Sequence, residues 1–235
     1  MKLILEHILK KFDTKIVLKD ASFTFEKGKI YGLLGRNGAG KTTLFNCINE
    51  DLPKDGGIVQ IMEDSGLLRS ITSDDIGYVL SVPVVPEFLT GREFIKFFIE
   101  INEKKIKNLK SPDEYFELMK IAPEDRDKLM KDYSHGMKNK MQMLIYIIGS
   151  PSILLLDEPL TSFDVVVADE MKKLLKAVKN DHILIFSTHI LELALDLCDE
   201  IVLLNGGCLD KIEKGSLDED AFKEKIIDTL RGEDE

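Results

Sequence analysis

The spacing of apolar positions changes several times along this chain, and each change marks an element. In "ASFTFEKGKI", Ala21, Phe23 and Phe25 alternate with Ser22, Thr24 and Glu26. A period of two belongs to a half-buried strand, so an antiparallel sheet is predicted near the N-terminus. "IYGLLG" at 30–35 is instead a short, nearly continuous apolar run, the pattern of a central parallel strand covered on both faces; it ends in glycine and leads into a helix, "TTLFNCIN". The middle third is helical in pattern. "TGREFIKFFIEI" opens with a capping box from Thr90 to Glu93 and sets Phe94, Ile95, Phe97, Phe98 and Ile101 along one predicted face. "SPDEYFELMKI" repeats the device, with Ser111 as N-cap, Pro112 at the first helical position and Glu114 closing the box. Strand and helix then alternate again through "SILLLDE", "DEMKKLLKAVK", "HILIFS", "ILELALDLC" and "EIVLL", and "NGG" at 205–207 reads as a hairpin turn. The prediction is an α/β domain over residues 1–215 with a parallel sheet, an N-terminal antiparallel β subdomain and an α-helical subdomain inserted at about 82–133. A short acidic C-terminal tail over 216–235 follows, with one helix and a frayed end.

Composition narrows what such a domain can serve. A length of 235 residues supports one well-buried core, with or without a modest insertion. The formal net charge of −10 repels nucleic acid and anionic membrane surfaces, so no nucleic-acid partner is expected. The basic stretch "EKKIKNLK" at 103–110 reads as a solvated helix face. Three widely spaced cysteines, Cys47, Cys198 and Cys208, fit neither a metal site nor a complete disulfide framework, and a reducing cytoplasm is expected. The N-terminal "MKLILEHILKKF" does not read as a signal peptide, and no run approaches the roughly 18 apolar residues of a membrane span. Any membrane role is then expected to come through a partner.

The chemistry is concentrated in two segments. "GRNGAGKTT" sets Gly35 four residues before Gly40, Lys41 and Thr42, between a predicted strand and a predicted helix. This is the setting of a phosphate loop, with Gly35, Asn37, Gly38, Ala39, Gly40, Lys41, Thr42 and Thr43 as candidate ATP contacts. Backbone amides turn inward on the phosphates, Lys41 reaches their oxygens and Thr42 can ligate Mg²⁺. A dinucleotide loop would need a third glycine where Thr43 stands; a glycine-rich turn that binds nothing is the plain alternative. "ILLLDEP" supplies the second carboxylate such a loop requires: Asp157 for the metal, and Glu158, one residue beyond the strand, to deprotonate an attacking water. Nucleotide hydrolysis is the favoured reading of the pair.

With these two motifs in this order, the chain from about residue 3 to residue 215 resembles the ATP-binding subunits of ABC transporters, whose fold is a P-loop NTPase core. The resemblance implies several roles. Phe12 in "KKFDTK" stands where the family stacks an aromatic ring on adenine; plain core packing is the alternative. "TSFD" resembles the family's D-loop, with Asp164 as its last member, and "FSTH" its switch segment, making His189 a γ-phosphate contact. "YSHGM" at 133–137 lies where the family carries its signature, typically LSGGQ: Ser134 and Gly136 match, whereas Tyr133, His135 and Met137 do not. In the family, two subunits dimerise head to tail and the signature of one caps the ATP on the phosphate loop of the other. The helix after it is predicted to bury Met137, Met141, Leu144, Ile145 and Ile148, with Ser134 as its N-cap. A second departure is Ser81 in "IGYVLSVP", where the family places a glutamine at the metal site.

The resemblance thus implies an ATP-hydrolysing subunit that takes ATP and Mg²⁺, pairs with a second ATPase subunit as a homodimer or heterodimer, and drives a separate integral membrane permease from the inner face of the cell membrane. "GLLGRNGAGKTT" and "STHILELALDLCDE" are closest to exporter-type subunits. The rivals are an importer subunit, a soluble ABC-type ATPase acting on ribosomes or DNA, and a nucleotide-binding regulator without turnover, against which Glu158 argues.

Overall fold

In the computed structural model, which describes residues 1–104, 106, 109–160, 163–213 and 219–231, strand β3 (Ile30–Leu34) is buried at every position. It lies between two parallel neighbours, β8 (Ile183–Thr188) and β9 (Glu200–Asn205), and carries helices on both faces. The parallel run continues through β7 (Ile153–Asp157) to β6 (Ile76–Val79). Beyond β9 the sheet turns antiparallel at β10 (Cys208–Ile212), the hairpin that "NGG" predicts. A single parallel pairing, Cys208 with Asp20, joins β10 to β2 (Lys15–Glu26). The antiparallel arm then runs through β1 (Lys2–Phe12) and β4 (Gly56–Met62) to β5 (Leu68–Ser70). The full order is β5-β4-β1-β2-β10-β9-β3-β8-β7-β6.

Strand pleating divides the core. Tyr31, Leu33, Ile153, Leu155, Ile183 and Ile185 point to one face, where Leu44, Phe45 and Ile48 of α1 (Lys41–Ile48) cover them. Leu154, Leu156, Leu184 and Phe186 point to the other face. They meet α2 (Gly91–Asn102), α3 (Pro112–Leu118), α4 (His135–Gly149) and α5 (Val165–Val178). A smaller third cluster packs α6 (Leu191–Leu197) and α7 (Glu219–Arg231) on Leu34, Ile201 and Leu203.

Both predicted capping boxes are formed, Thr90 with Glu93 and Ser111 with Glu114. Each satisfies two otherwise orphaned amides and is worth about 1 kcal/mol. The face predicted for α2 is corrected in part. Phe94 and Ile95 are buried and Phe98 half-buried, but Phe97 and Ile101 are exposed, because the stripe that meets α4 is centred on Gly91, Phe94, Ile95 and Phe98 and leaves Phe97 and Ile101 on its outer flank. The face predicted for α4 forms around Met141, Leu144 and Ile148, with Met137 and Ile145 half-buried at its edge. Parts of the basic stretch at 103–110, of "TSFD" and of the tail over 216–235 lie outside the described residues.

Candidate functional site

The strand order brings the chemistry together. β8 lies between β3 and β7, so the loop leaving β3, the C-terminal end of β7 and the C-terminal end of β8 open on one edge. In open α/β sheets that edge is where ligands bind. The loop after β3 turns through Gly38 (φ 83°) and Gly40 (φ 104°), conformations that side chains rarely adopt. At Gly40 a Cβ would also fall 2.7 Å from a Val17 methyl, so the β1–β2 hairpin fixes this residue as glycine twice over. Ala39 donates its amide to the Arg36 carbonyl at 3.1 Å, and a cleft of about 260 Å³ opens among Asn37, Gly38, Gly40, Lys41, Thr42, Thr43 and Glu158.

Lys41 is buried, and its ammonium donates to the carbonyls of Gly35 at 2.8 Å and Arg36 at 3.2 Å. Burial pushes its pKa down, while the carboxylates of Glu158 and Asp157 pull the other way. A buried cation whose hydrogen bonds among the described residues go to neutral carbonyls is poised for an anion. Thr42 Oγ1 donates to Asp157 Oδ2 at 2.8 Å, and Ser187 Oγ donates to Asp157 Oδ1 at 2.5 Å. Glu158 follows at φ 46°, its amide bonded to the Ser187 oxygens Oγ and O at 3.1 and 3.2 Å. His189 Nδ1 sits 2.9 Å from Glu158 Oε1. The hydroxyl of Thr42 and the carboxylate of Asp157 are hard oxygen donors beside a phosphate-sized cleft, the donor set that Mg²⁺ takes together with water and phosphate oxygens, so the residues fit that ion.

The remaining sequence-derived residues lie around this centre rather than in it. Phe12 ends β1 and is 45% exposed, which rules out core packing; the Lys10 ammonium lies 5.4 Å from its ring centroid. Asp164 caps α5, its Oδ1 accepting from the amides of Val166 and Val167. Ser134 caps α4, accepting from the Met137 amide at 3.2 Å, with His135 exposed at the first helical position. Gly136 lies under the Phe163 ring, which a Cβ there would meet at 3.4 Å. Ser134 and Gly136 do not line the Lys41 cleft of their own chain. Ser81 is exposed beyond β6.

Sequence reasoning missed three residues of this region: Ser187, Phe163 and Lys10. Lys10 carried a signal, as a cation two positions before Phe12 in a predicted strand. Ser187 carried none, since only the cross-strand register puts it opposite Asp157.

Comparison with known proteins bears on the family and the fold. The family model described as ABC transporter matches residues 18–161. An ABC transporter ATP-binding protein of Methanocaldococcus jannaschii is 33% identical over 208 residues, covering 88% of this chain and 75% of that protein. A sulfate/thiosulfate import ATP-binding protein of Agrobacterium fabrum is 28% identical over 211 residues, covering 88% of this chain and 62% of its own length. Among solved structures, an ATP-binding cassette described as a post-hydrolysis dimer bound to ADP and Pi superimposes with a TM-score of 0.74. It is 19% identical and covers 90% of this chain and 99% of its own, a likeness of fold.

Proposed function

The chain belongs to the ABC transporter ATP-binding family, and from that premise we propose that it hydrolyses ATP in a head-to-tail pair with a second ATPase subunit and powers a separate membrane-spanning permease, in the export direction. The observation that carries the catalytic reading is the unbroken hydrogen-bonded series Thr42, Asp157, Ser187, Glu158 and His189 along one sheet edge.

Each residue then has a task that its surroundings fit it for. The amides of the loop over 35–43 and the N-terminal end of α1 receive the phosphates. Lys41 exchanges two carbonyls for phosphate oxygens, a trade that relieves the cost of its burial. Thr42 and Asp157 would hold Mg²⁺, which neutralises phosphate charge when bound. Glu158 takes the proton of the attacking water, and His189 holds its carboxylate through Nδ1, which leaves Nε2 for the γ-phosphate. Phe12 offers an exposed ring to adenine. Ser134, His135 and Gly136 present the positive end of α4 to the partner's nucleotide, and Asp164 fixes the start of α5 beside them.

The permease reading draws on a different surface. No helix among the described residues is long and apolar enough to cross a membrane. Yet Val82, Val84, Phe88, Phe97 and Ile101 stand exposed in one stretch, more apolar side chain than a solvated loop and helix need. Export rests on the likeness of the phosphate-loop and switch segments to exporter-type subunits; the Agrobacterium relative is named for import. Transport by the reconstituted complex decides direction.

The test of turnover is Glu158→Gln. It should bind ATP with wild-type affinity, lose at least a hundredfold in kcat, and accumulate as a dimer in Mg-ATP on size exclusion. A mutant that turns over like wild type removes Glu158 from the chemistry.

A further inference from the structure

Ser187 has no side-chain exposure and is the next-to-last residue of β8, where the register sets it opposite Asp157 on one side and Leu33 on the other. A hydroxyl has one proton to give and lone pairs to receive, and here both capacities are used on the two carboxylate residues of the site. The proton goes to Asp157 Oδ1 at 2.5 Å; a lone pair receives the Glu158 amide at 3.1 Å. With Oδ1 engaged, Oδ2 is the oxygen turned to Thr42. Glu158 itself has φ 46°, a left-handed conformation that a glutamate keeps only when its neighbours hold it.

We infer that Ser187 is a positioning residue for both carboxylates: it aims one oxygen of Asp157 at the cation beside Thr42 and fixes the backbone from which Glu158 reaches the water. The inference rests on the ATP-hydrolysing reading of this site. The sequence resemblance implies that Ser81, short and exposed beyond β6, replaces the family's metal-site glutamine in this chain. Fewer side chains are then left to organise the cation, and the orientation of Asp157 decides more of its affinity. Removing the hydroxyl frees the carboxylate of Asp157 to rotate and leaves the Glu158 amide with the Ser187 carbonyl alone.

The experiment compares Ser187→Thr with Ser187→Val in the full chain, two side chains of equal shape of which only one keeps the hydroxyl. Three quantities are read: affinity for a fluorescent ATP analogue in EDTA, the Mg²⁺ concentration giving half the nucleotide-dependent thermal shift, and kcat. The valine variant should need at least fivefold more Mg²⁺ and lose at least tenfold in kcat, with metal-free affinity within twofold of wild type. The threonine variant should stay within twofold of wild type on all three. Coincident Mg²⁺ midpoints for the two variants overturn the inference. If the added methyl lowers the melting temperature of both, Ser187→Ala takes their place, since it cannot overpack; a wild-type Mg²⁺ midpoint there is equally fatal. A wild-type chain that binds no nucleotide in EDTA or in Mg²⁺ would instead overturn the hydrolytic reading on which the inference stands.

Discussion

At the scale of single residues, this site spends stability on readiness. Lys41 is buried and donates to the carbonyls of Gly35 and Arg36, and burial lowers its pKa. A lysine whose folded pKa lies below its unfolded value opposes folding while the ammonium is charged, and that cost falls as the pH rises from the folded value to the unfolded one, about 10.4. Lys41→Met should therefore melt no lower than wild type in the absence of nucleotide, and it should lose the stabilisation ATP gives, which for a tight site is about 2.7 kcal/mol at a hundred times Kd. Differential scanning fluorimetry with and without ATP reads both; a wild-type thermal shift in the variant would show that phosphate does not depend on this cation. The glycine at 40 is a second instance, held by its φ of 104° and by Val17 against it.

At the scale of elements, the turn before β6 shows how an ion pair on a buried carboxylate anchors a strand. The Arg69 guanidinium beside Asp75 holds its carboxyl down at about 2 against the opposing effect of burial, with the Thr72 hydroxyl and amide adding to the pull. Asp75 in turn accepts the Ile153 amide on its own carbonyl, tying the turn to β7. A depressed folded pKa stabilises above the unfolded value near 3.9 and the contribution is lost as the pH falls through the folded value, here between about 4 and 2. Asp75→Asn should cost about 2 kcal/mol at pH 7 and little at pH 2, and urea melts at the two pH values measure it; equal losses at both would mean packing, not charge, is at stake. The same elements show what sequence can and cannot disclose. The capping boxes of α2 and α3 were legible because every participant lies within four residues, and β3 and β7 because a strand buried on both faces is apolar throughout. The flank of α2 was misjudged at Phe97 and Ile101, since periodicity gives a stripe but not which side of the stripe meets a neighbour. The edge strand β5 is three residues long and mostly exposed, with no pattern to read. Within the site, the phosphate loop and the Asp157–Glu158 pair were legible as contiguous motifs, whereas Ser187 enters through pairing between strands 30 positions apart.

At the scale of the whole molecule, the nucleotide edge and the exposed apolar stretch are joined through α4. Its N-terminus, capped by Ser134, belongs to the surface proposed to meet a second subunit, and one turn further on Lys138 pairs with Glu87 at 2.6 Å, inside the connection that exposes Val82, Val84 and Phe88. A displacement of that connection by a docked partner would pull on the helix proposed to face the partner's nucleotide, which gives the proposed permease a mechanical route to the site. Large exposed aromatics are the side chains that carry binding energy at interfaces, commonly about 2 kcal/mol each, whereas on a free surface their replacement changes stability by about 0.5 kcal/mol or less. The double variant Phe88→Ser, Phe97→Ser should therefore keep its melting temperature, its basal ATPase rate and its ATP-dependent dimer. It should fall at least tenfold in the fraction of chain that sediments with the membranes of the source cell. Washing those membranes in high salt separates this from a charge effect, because apolar docking survives salt and surface ion pairing does not. Equal sedimentation of variant and wild type would place any permease contact elsewhere on the chain and leave Phe88 and Phe97 as solvated side chains.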